Sequence, residues 1–265
     1  MWPLTITVLV WLVDIASAHG RITRIATSSG DVYEGWNPES SSSLIPPSPL
    51  AAWSAANLGN IFVPPSQFNT TNITCHYNAV PGALHINTTA GDTLNLHWNE
   101  WPKSHVGPVL TYLAACNGNC AYAKKEELEW VKIDELAWLN STDSKTLELG
   151  GTWATDVFIA NNFSWVTTIP PVLSSGNYVL RQEIIALHTA EQLDGAQAYP
   201  QCVNLHVSQG NSTISKTLEG GTLGNKLYGM RDEGILVNVH GKIGGYNIPG
   251  PKLWEYAMPI RQPDQ

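Results

Sequence analysis

Apolar and polar positions alternate along several short stretches of this chain. Thr93-Leu94-Asn95-Leu96-His97-Trp98 and Cys202-Val203-Asn204-Leu205-His206-Val207 each put every second side chain into one apolar row. That is the period of a strand with one buried face. Residues 108–115, 128–133 and 177–187 are further β-rich runs, set between clusters of Gly, Pro, Asn and Ser. Helical periodicity is scarce. Short strands broken by turn residues predict an all-β fold, an immunoglobulin- or fibronectin-like antiparallel β-sandwich with long loops. Residues 30–65, rich in Ser and Pro, read as an elaborated loop, and loops on a rigid sandwich are where function concentrates.

The start of the chain follows a different pattern. Residues 4–13 are almost wholly apolar, too short a run to cross a bilayer as a helix. Ala16-Ser17-Ala18 follows, the small-x-small pattern after which signal peptidase cuts. Residues 1–18 are therefore read as an export signal and residues 19–265 as a single domain. No later run is apolar enough to span a membrane, so a secreted, extracellular product is expected. No appended carbohydrate-binding domain is expected.

Cleavage there leaves fourteen basic against twenty-one acidic residues, a formal charge of −7. Nucleic acid and anionic membranes reward a basic surface, so both are excluded as partners. Only 14% of the chain is charged, while Trp, Tyr, Gly and Pro are plentiful, which favours a neutral partner. Four cysteines in an exported chain imply two disulfides, for which three pairings exist. Cys116 and Cys120 flank the turn-like Asn117-Gly118-Asn119 and are paired here, leaving Cys75 with Cys202. Six Asn-x-Ser/Thr sequons, at Asn69, Asn72, Asn87, Asn140, Asn162 and Asn211, mark candidate glycans and hence surface.

Processing turns His19 into something unusual. Its freed α-amine and its Nδ1 can close a six-membered chelate on one metal. An α-amine has a pKa of about 7.7–8, so it yields its proton more readily than lysine does. A second imidazole would complete three nitrogen ligands in a plane, an arrangement that suits Cu(II). His105 is the best partner, in a loop bounded by Pro102, Gly107 and Pro108 just before a strand. His188 lies further on, and Gln197 and Tyr199 alternate on one strand face beside Cys202. Such a polar set suits a metal's outer shell.

Across residues 19–254 the chain resembles the lytic polysaccharide monooxygenases of auxiliary activity family 9, formerly glycoside hydrolase family 61. The resemblance rests on His19-Gly20, Ser104-His105-Val106-Gly107-Pro108-Val109 and Tyr112-Leu113-Ala114-Ala115-Cys116. It continues through Leu180-Arg181, Glu183-Ile184-Ile185-Ala186-Leu187-His188 and Ile248-Pro249-Gly250-Pro251. It implies one copper ion held by His19 and His105, with Tyr199 at the axial position. It implies hydrogen-bonding roles for His188 and Gln197, and a sugar-stacking surface role for Tyr246. The family's partner aromatic in the early loop has Tyr33, Trp36 and Trp53 as candidates. Lys103 and Ala198 depart from the family's pattern without touching that chemistry.

The implied reaction oxidises a C–H bond at C1 or C4 of a β-1,4-glucan, cellulose or a hemicellulose. O2 or H2O2 would be co-substrate, electrons would come from an external donor, and the enzyme is expected to be a monomer. The remaining histidines, His76, His85, His97, His206 and His240, have no ligand-like context. A hydrolase would need two carboxylates across a cleft, and nothing singles out Glu183 and Asp194 as such a pair. The alternative is a non-catalytic secreted protein that binds copper or carbohydrate. It would not need His188, Gln197 and Tyr199 together.

Overall fold

The alternating run that ends at Trp98 forms one of the central strands of a two-layered fold. In the computed structural model the described residues are 20–39, 49–58, 61–141 and 148–263. The first strands are Ile22–Thr27 (β1), Val32–Glu34 (β2), Ile86–Thr89 (β3), Thr93–Trp98 (β4), Val109–Ala115 (β5) and Glu129–Leu136 (β6). Short strands follow at Trp138–Asn140 (β7), Leu149–Gly150 (β8) and Thr152–Trp153 (β9). Then come Ser164–Thr168 (β10), Gly176–Ala186 (β11), Gln197–Ser208 (β12), Thr222–Leu223 (β13) and Gly241–Lys242 (β14). Two short helices, Asn72–Cys75 (α1) and Ala154–Ala160 (α2), lie in the connections.

One sheet has the order β10-β4-β1-β2, and the larger has the order β13-β6-β5-β11-β12-β3. Pairing is antiparallel throughout these two sheets except between β12 and β3. Ile22, Ile25, Leu94, Leu96, Trp98 and Trp165 from the small sheet meet Leu113, Leu180, Ile184, Val203 and Leu205 from the large one. This is the dry interior that the alternating pattern requires.

The other face of the large sheet is buried as well. Leu110, Tyr112, Val179, Ile185 and Trp130 pack there beneath loop residues Phe68, Ile73, Trp53, Tyr228 and Ile235. Loops therefore act as a third layer, which is why β5 and β11 are buried along nearly their whole length, Arg181, Gln182 and Glu183 included. The two disulfides are Cys75–Cys202 and Cys116–Cys120. The first ties α1 in that loop layer to β12.

The early loop differs in part from the sequence reading. Among its described residues it contains one strand, β2, because Val32–Glu34 hydrogen-bonds to the free edge of β1. Trp36 and Trp53 are not surface platforms. Each is buried, and their indole N–H groups donate to the Ala55 carbonyl and to Asn204 Oδ1. Of the three early aromatics only Tyr33 keeps partial exposure. Among the sequons, Asn69, Asn87, Asn162 and Asn211 are exposed, and Asn72 and Asn140 are half-buried.

Candidate metal centre

Strand register brings the candidate residues to one end of the large sheet. Val109 opposes Ile184, and Ile184 opposes Tyr199. His105 precedes β5 by four residues, His188 follows β11 by two, and Gln197 opens β12. All of these termini lie on the same edge. Three segments far apart in sequence therefore deliver polar side chains to one place.

Backbone contact fixes the His105 loop. The His105 N–H donates to the Pro102 carbonyl at 3.0 Å, and Leu187 N–H donates to the Val106 carbonyl at 2.8 Å. Gly107 sits so close to β11 that a Cβ would come within 1.9 Å of the Ile185 carbonyl oxygen. Only glycine permits that approach. Its N–H donates to Thr155 Oγ1 on α2 at 3.1 Å.

Trp101 is the wedge beneath the site. Its indole N–H donates to the His105 carbonyl at 2.8 Å, and its ring meets those of His105 and Tyr199 edge-on, with centroids at 6.0 and 5.0 Å. The His105 and His188 rings lie with centroids 3.9 Å apart, tilted by 33°. Tyr199 donates its hydroxyl to Gln197 Oε1 at 2.7 Å, as alternate positions on one strand face allow. Burial raises the Tyr199 phenol well above its ordinary range, so it is a neutral donor at physiological pH. His105 is buried too, but it sits next to exposed Lys103 and Ser104.

Gly20 reaches the same loop from the N-terminal side. A Cβ there would meet the Glu100 carbonyl oxygen at 2.0 Å and the Trp98 ring at 3.2 Å. Reciprocal bonds at Arg21 and Asn99 hold this contact in place, and Ile22 N–H donates to Gln201 Oε1 on β12. His19 and residues 1–18 lie outside the described residues. Among the described residues no group of three His, Cys, Asp or Glu side chains is placed to hold a metal. The donors present still fit copper: an imidazole, a second imidazole whose ring lies against it, and a buried neutral phenol.

Tyr246 keeps part of its surface exposed. Its hydroxyl donates to the Gly234 carbonyl at 2.6 Å, and its ring stands edge-on to Trp153. The other histidines have local partners: His97 with Ser164 Oγ, His206 with Asn177 Oδ1, His85 with the Cys120 N–H, and His240 with the His188 carbonyl. The carboxylates of a hydrolase are also accounted for. Glu183 is fully buried against Arg181 and Tyr228, and Asp194 accepts from the Ser66 N–H and hydroxyl. Sequence reasoning missed Trp101 and the close approach of Gly20. The Gly/Pro-bounded loop was a signal for the first, but nothing local marks the second.

A β-sandwich with an imidazole-centred site at one end of its larger sheet is the class that this geometry defines. The family model for Auxiliary Activity family 9 (formerly GH61) matches residues 19–246. Lytic polysaccharide monooxygenase A of Talaromyces verruculosus, an AA9 protein, is 44% identical over 93% of this chain and 72% of its own length. Lytic polysaccharide monooxygenase I of Botryotinia fuckeliana, also AA9, is 40% identical over 99% of this chain and 94% of its own. The curated relatives range more widely, the chain spanning from 61% to 99% of their lengths. The extended catalytic domain of H. jecorina LPMO9A superposes with a TM-score of 0.80 and 40% identity, covering 89% of this chain and 91% of that one.

The chain belongs to Auxiliary Activity family 9. It is a copper-dependent polysaccharide monooxygenase.

Proposed function

We propose that this enzyme is secreted, loses residues 1–18, and binds one copper ion through the His19 amine, the His19 imidazole and His105. The observation that carries the reading is the convergence of His105, His188, Gln197 and Tyr199 at one sheet end, beside the loop on which Gly20 is seated. His105 would coordinate through Nε2, since its Nδ1 lies 3.1 Å from Ser104 Oγ. Tyr199, neutral and held by Gln197, would stand beside the copper without adding charge. Copper, when bound, supplies the one-electron redox chemistry by which O2 or H2O2 oxidises the substrate, with electrons from an external donor.

The protein's part is geometry. Trp101 sets the His105 loop and Tyr199 at once, so both are placed by one rigid side chain. His188, whose ring lies against His105, and Gln197 would hydrogen-bond an oxygen co-substrate, and the His188 imidazole would hold a proton beside it. The half-exposed rings of Tyr246 and Tyr33 are the candidates for stacking on sugar rings, a contact that requires no charge. The substrate is a β-1,4-glucan, cellulose or a hemicellulose, oxidised at C1 or C4, and the enzyme acts as a monomer.

The test is release of oxidised oligosaccharides from cellulose, which is expected only with both copper and a reductant. A form retaining one extra residue before His19 should release none, because its amine becomes an amide. His105→Ala should weaken copper binding by calorimetry by orders of magnitude, since two nitrogens replace three. Full activity of the extended form, or unchanged affinity of the variant, would refute the brace.

A further inference from the structure

At the opposite end of β6 from the metal centre the structure has a built cavity, of about 560 Å³. That is within the range of roughly 300–1,000 Å³ typical of small-molecule sites. From Trp130 to Leu136, the residue opposing Val109, the strand rises roughly 20 Å. The cavity is thus separate from the copper site.

Two walls of different origin form it, and both are held by backbone bonds. On one side the C-terminal segment runs beside β6, with Trp254 N–H donating to the Lys132 carbonyl at 2.8 Å. On the other, Lys216 is clamped in both directions: its N–H donates to the Val172 carbonyl and its carbonyl accepts from Ser174 N–H. The site is therefore formed before any ligand arrives.

Its chemistry points to a neutral polyhydroxy ligand. Half-buried Trp254 and Tyr256 line it as an edge-on aromatic pair, with centroids 5.2 Å apart, and Lys216 Nζ lies 5.1 Å from the Tyr256 ring centre. Opposite them stand the hydroxyls of Ser174 and Ser215, 2.9 Å apart, together with Thr217. The charged side chains open to the cavity balance: Lys216 and Lys252 against Glu219 and Glu255. A fifth, Lys132, is already satisfied by Glu135 and the Pro249 carbonyl. Aromatic faces with hydroxyls and balanced charge match the alternating apolar and hydroxylated faces of a sugar ring.

We infer that this cavity is a second carbohydrate site, which binds the end of a neutral β-linked oligosaccharide away from the copper centre. It gives the enzyme a second hold on its polymer. The choice of a glucan as ligand rests on the proposed function, and the existence of a saccharide site rests on the cavity itself.

Titration of copper-loaded, ¹⁵N-labelled protein with cellohexaose tests it. The metal broadens resonances near His105, so the distant cavity reports alone. The Trp254 indole N–H and the Lys216 amide are expected to shift saturably. Tyr256→Ala should weaken that binding roughly three- to tenfold, the value of one stacking contact. Its copper affinity should stay unchanged and its unfolding midpoint should fall by no more than a few degrees, because Tyr256 touches only Trp254 and Lys216 among the ring contacts. Trp254→Ala is the second variant. No shift at the two reporters in the wild type, or wild-type affinity in both variants as read at the Lys216 amide, overturns the inference. Loss of cellulose oxidation is a different outcome and bears on the proposed function instead.

Discussion

His76 shows how much a single buried residue commits this protein to one protonation state. Its Nδ1 accepts the Tyr77 N–H at 2.9 Å, so Nε2 carries the proton donated to the Ile61 carbonyl at 2.8 Å. A charged ring would lose that acceptor, and burial lowers its pKa from 6.5 to about 4. A base with a lowered folded pKa contributes stability that is intact above 6.5 and lost as pH falls toward 4. The span corresponds to about 3 kcal/mol. Asp134 has the opposite sign. Burial raises its carboxyl to about 6, partly offset by the bond from Trp165 Nε1, so its contribution is present below 3.8 and lost as pH rises through about 6. Comparing the wild type with His76→Gln cancels the Asp134 effect. The variant is expected to be less stable at neutral pH and to lose less on acidification, as denaturant unfolding at pH 7 and pH 4.5 would report. Equal losses in both proteins would contradict the assignment.

At the scale of elements, the strands were legible because their pattern is local. The runs expected at 93–98, 108–115 and 177–187 correspond to Thr93–Trp98, Val109–Ala115 and Gly176–Ala186. β2 was not legible: Val32–Glu34 has no buried face of its own and is a strand only because β1 offers an edge. α2 escaped for a related reason. Its seven residues are too few to show a period, and its first turn is set by Asp156 accepting the Trp153 N–H. Position along the elements decides the site, and Gly107 is where this can be measured. Gly107→Ala would place a methyl within 1.9 Å of the Ile185 carbonyl, so the His105 loop must lift from β11. The expected result is copper affinity at least about tenfold weaker, with a fall in unfolding temperature from the lost loop–strand bonds. Calorimetry and thermal unfolding would check it together, and an unchanged affinity would show that the loop tolerates the shift.

For the molecule as a whole, what the sequence could not show is what lies beside what. The two layers above and below the large sheet place Arg181, Glu183, Tyr228 and Tyr112 in one buried network, although Glu183 and Tyr228 are 45 residues apart. Position in the chain gave no sign that Glu183 is structural. Trp36 and Trp53 likewise looked like surface candidates, yet both are buried, Trp36 with the sandwich interior and Trp53 within the loop layer. Overall charge, by contrast, is fully legible and makes its own prediction. Without residues 1–18, whose removal is proposed, fourteen basic and twenty-one acidic residues are spread over a chain that is only 14% charged. Apart from the charge of the bound copper itself, neither the metal centre nor the distal cavity presents a side-chain field of one sign: the first has imidazoles and a neutral phenol, the second two lysines against two glutamates. Binding to a neutral glucan through rings and hydrogen bonds should therefore be nearly indifferent to screening. Raising salt from about 20 mM to about 500 mM shortens the Debye length from roughly 20 Å to below 5 Å. Over that range the fraction bound to cellulose, by depletion from solution, is expected to change less than about twofold. A steep fall would identify an ionic contribution, and with it a charged polymer in place of the neutral one that the chemistry of both surfaces favours.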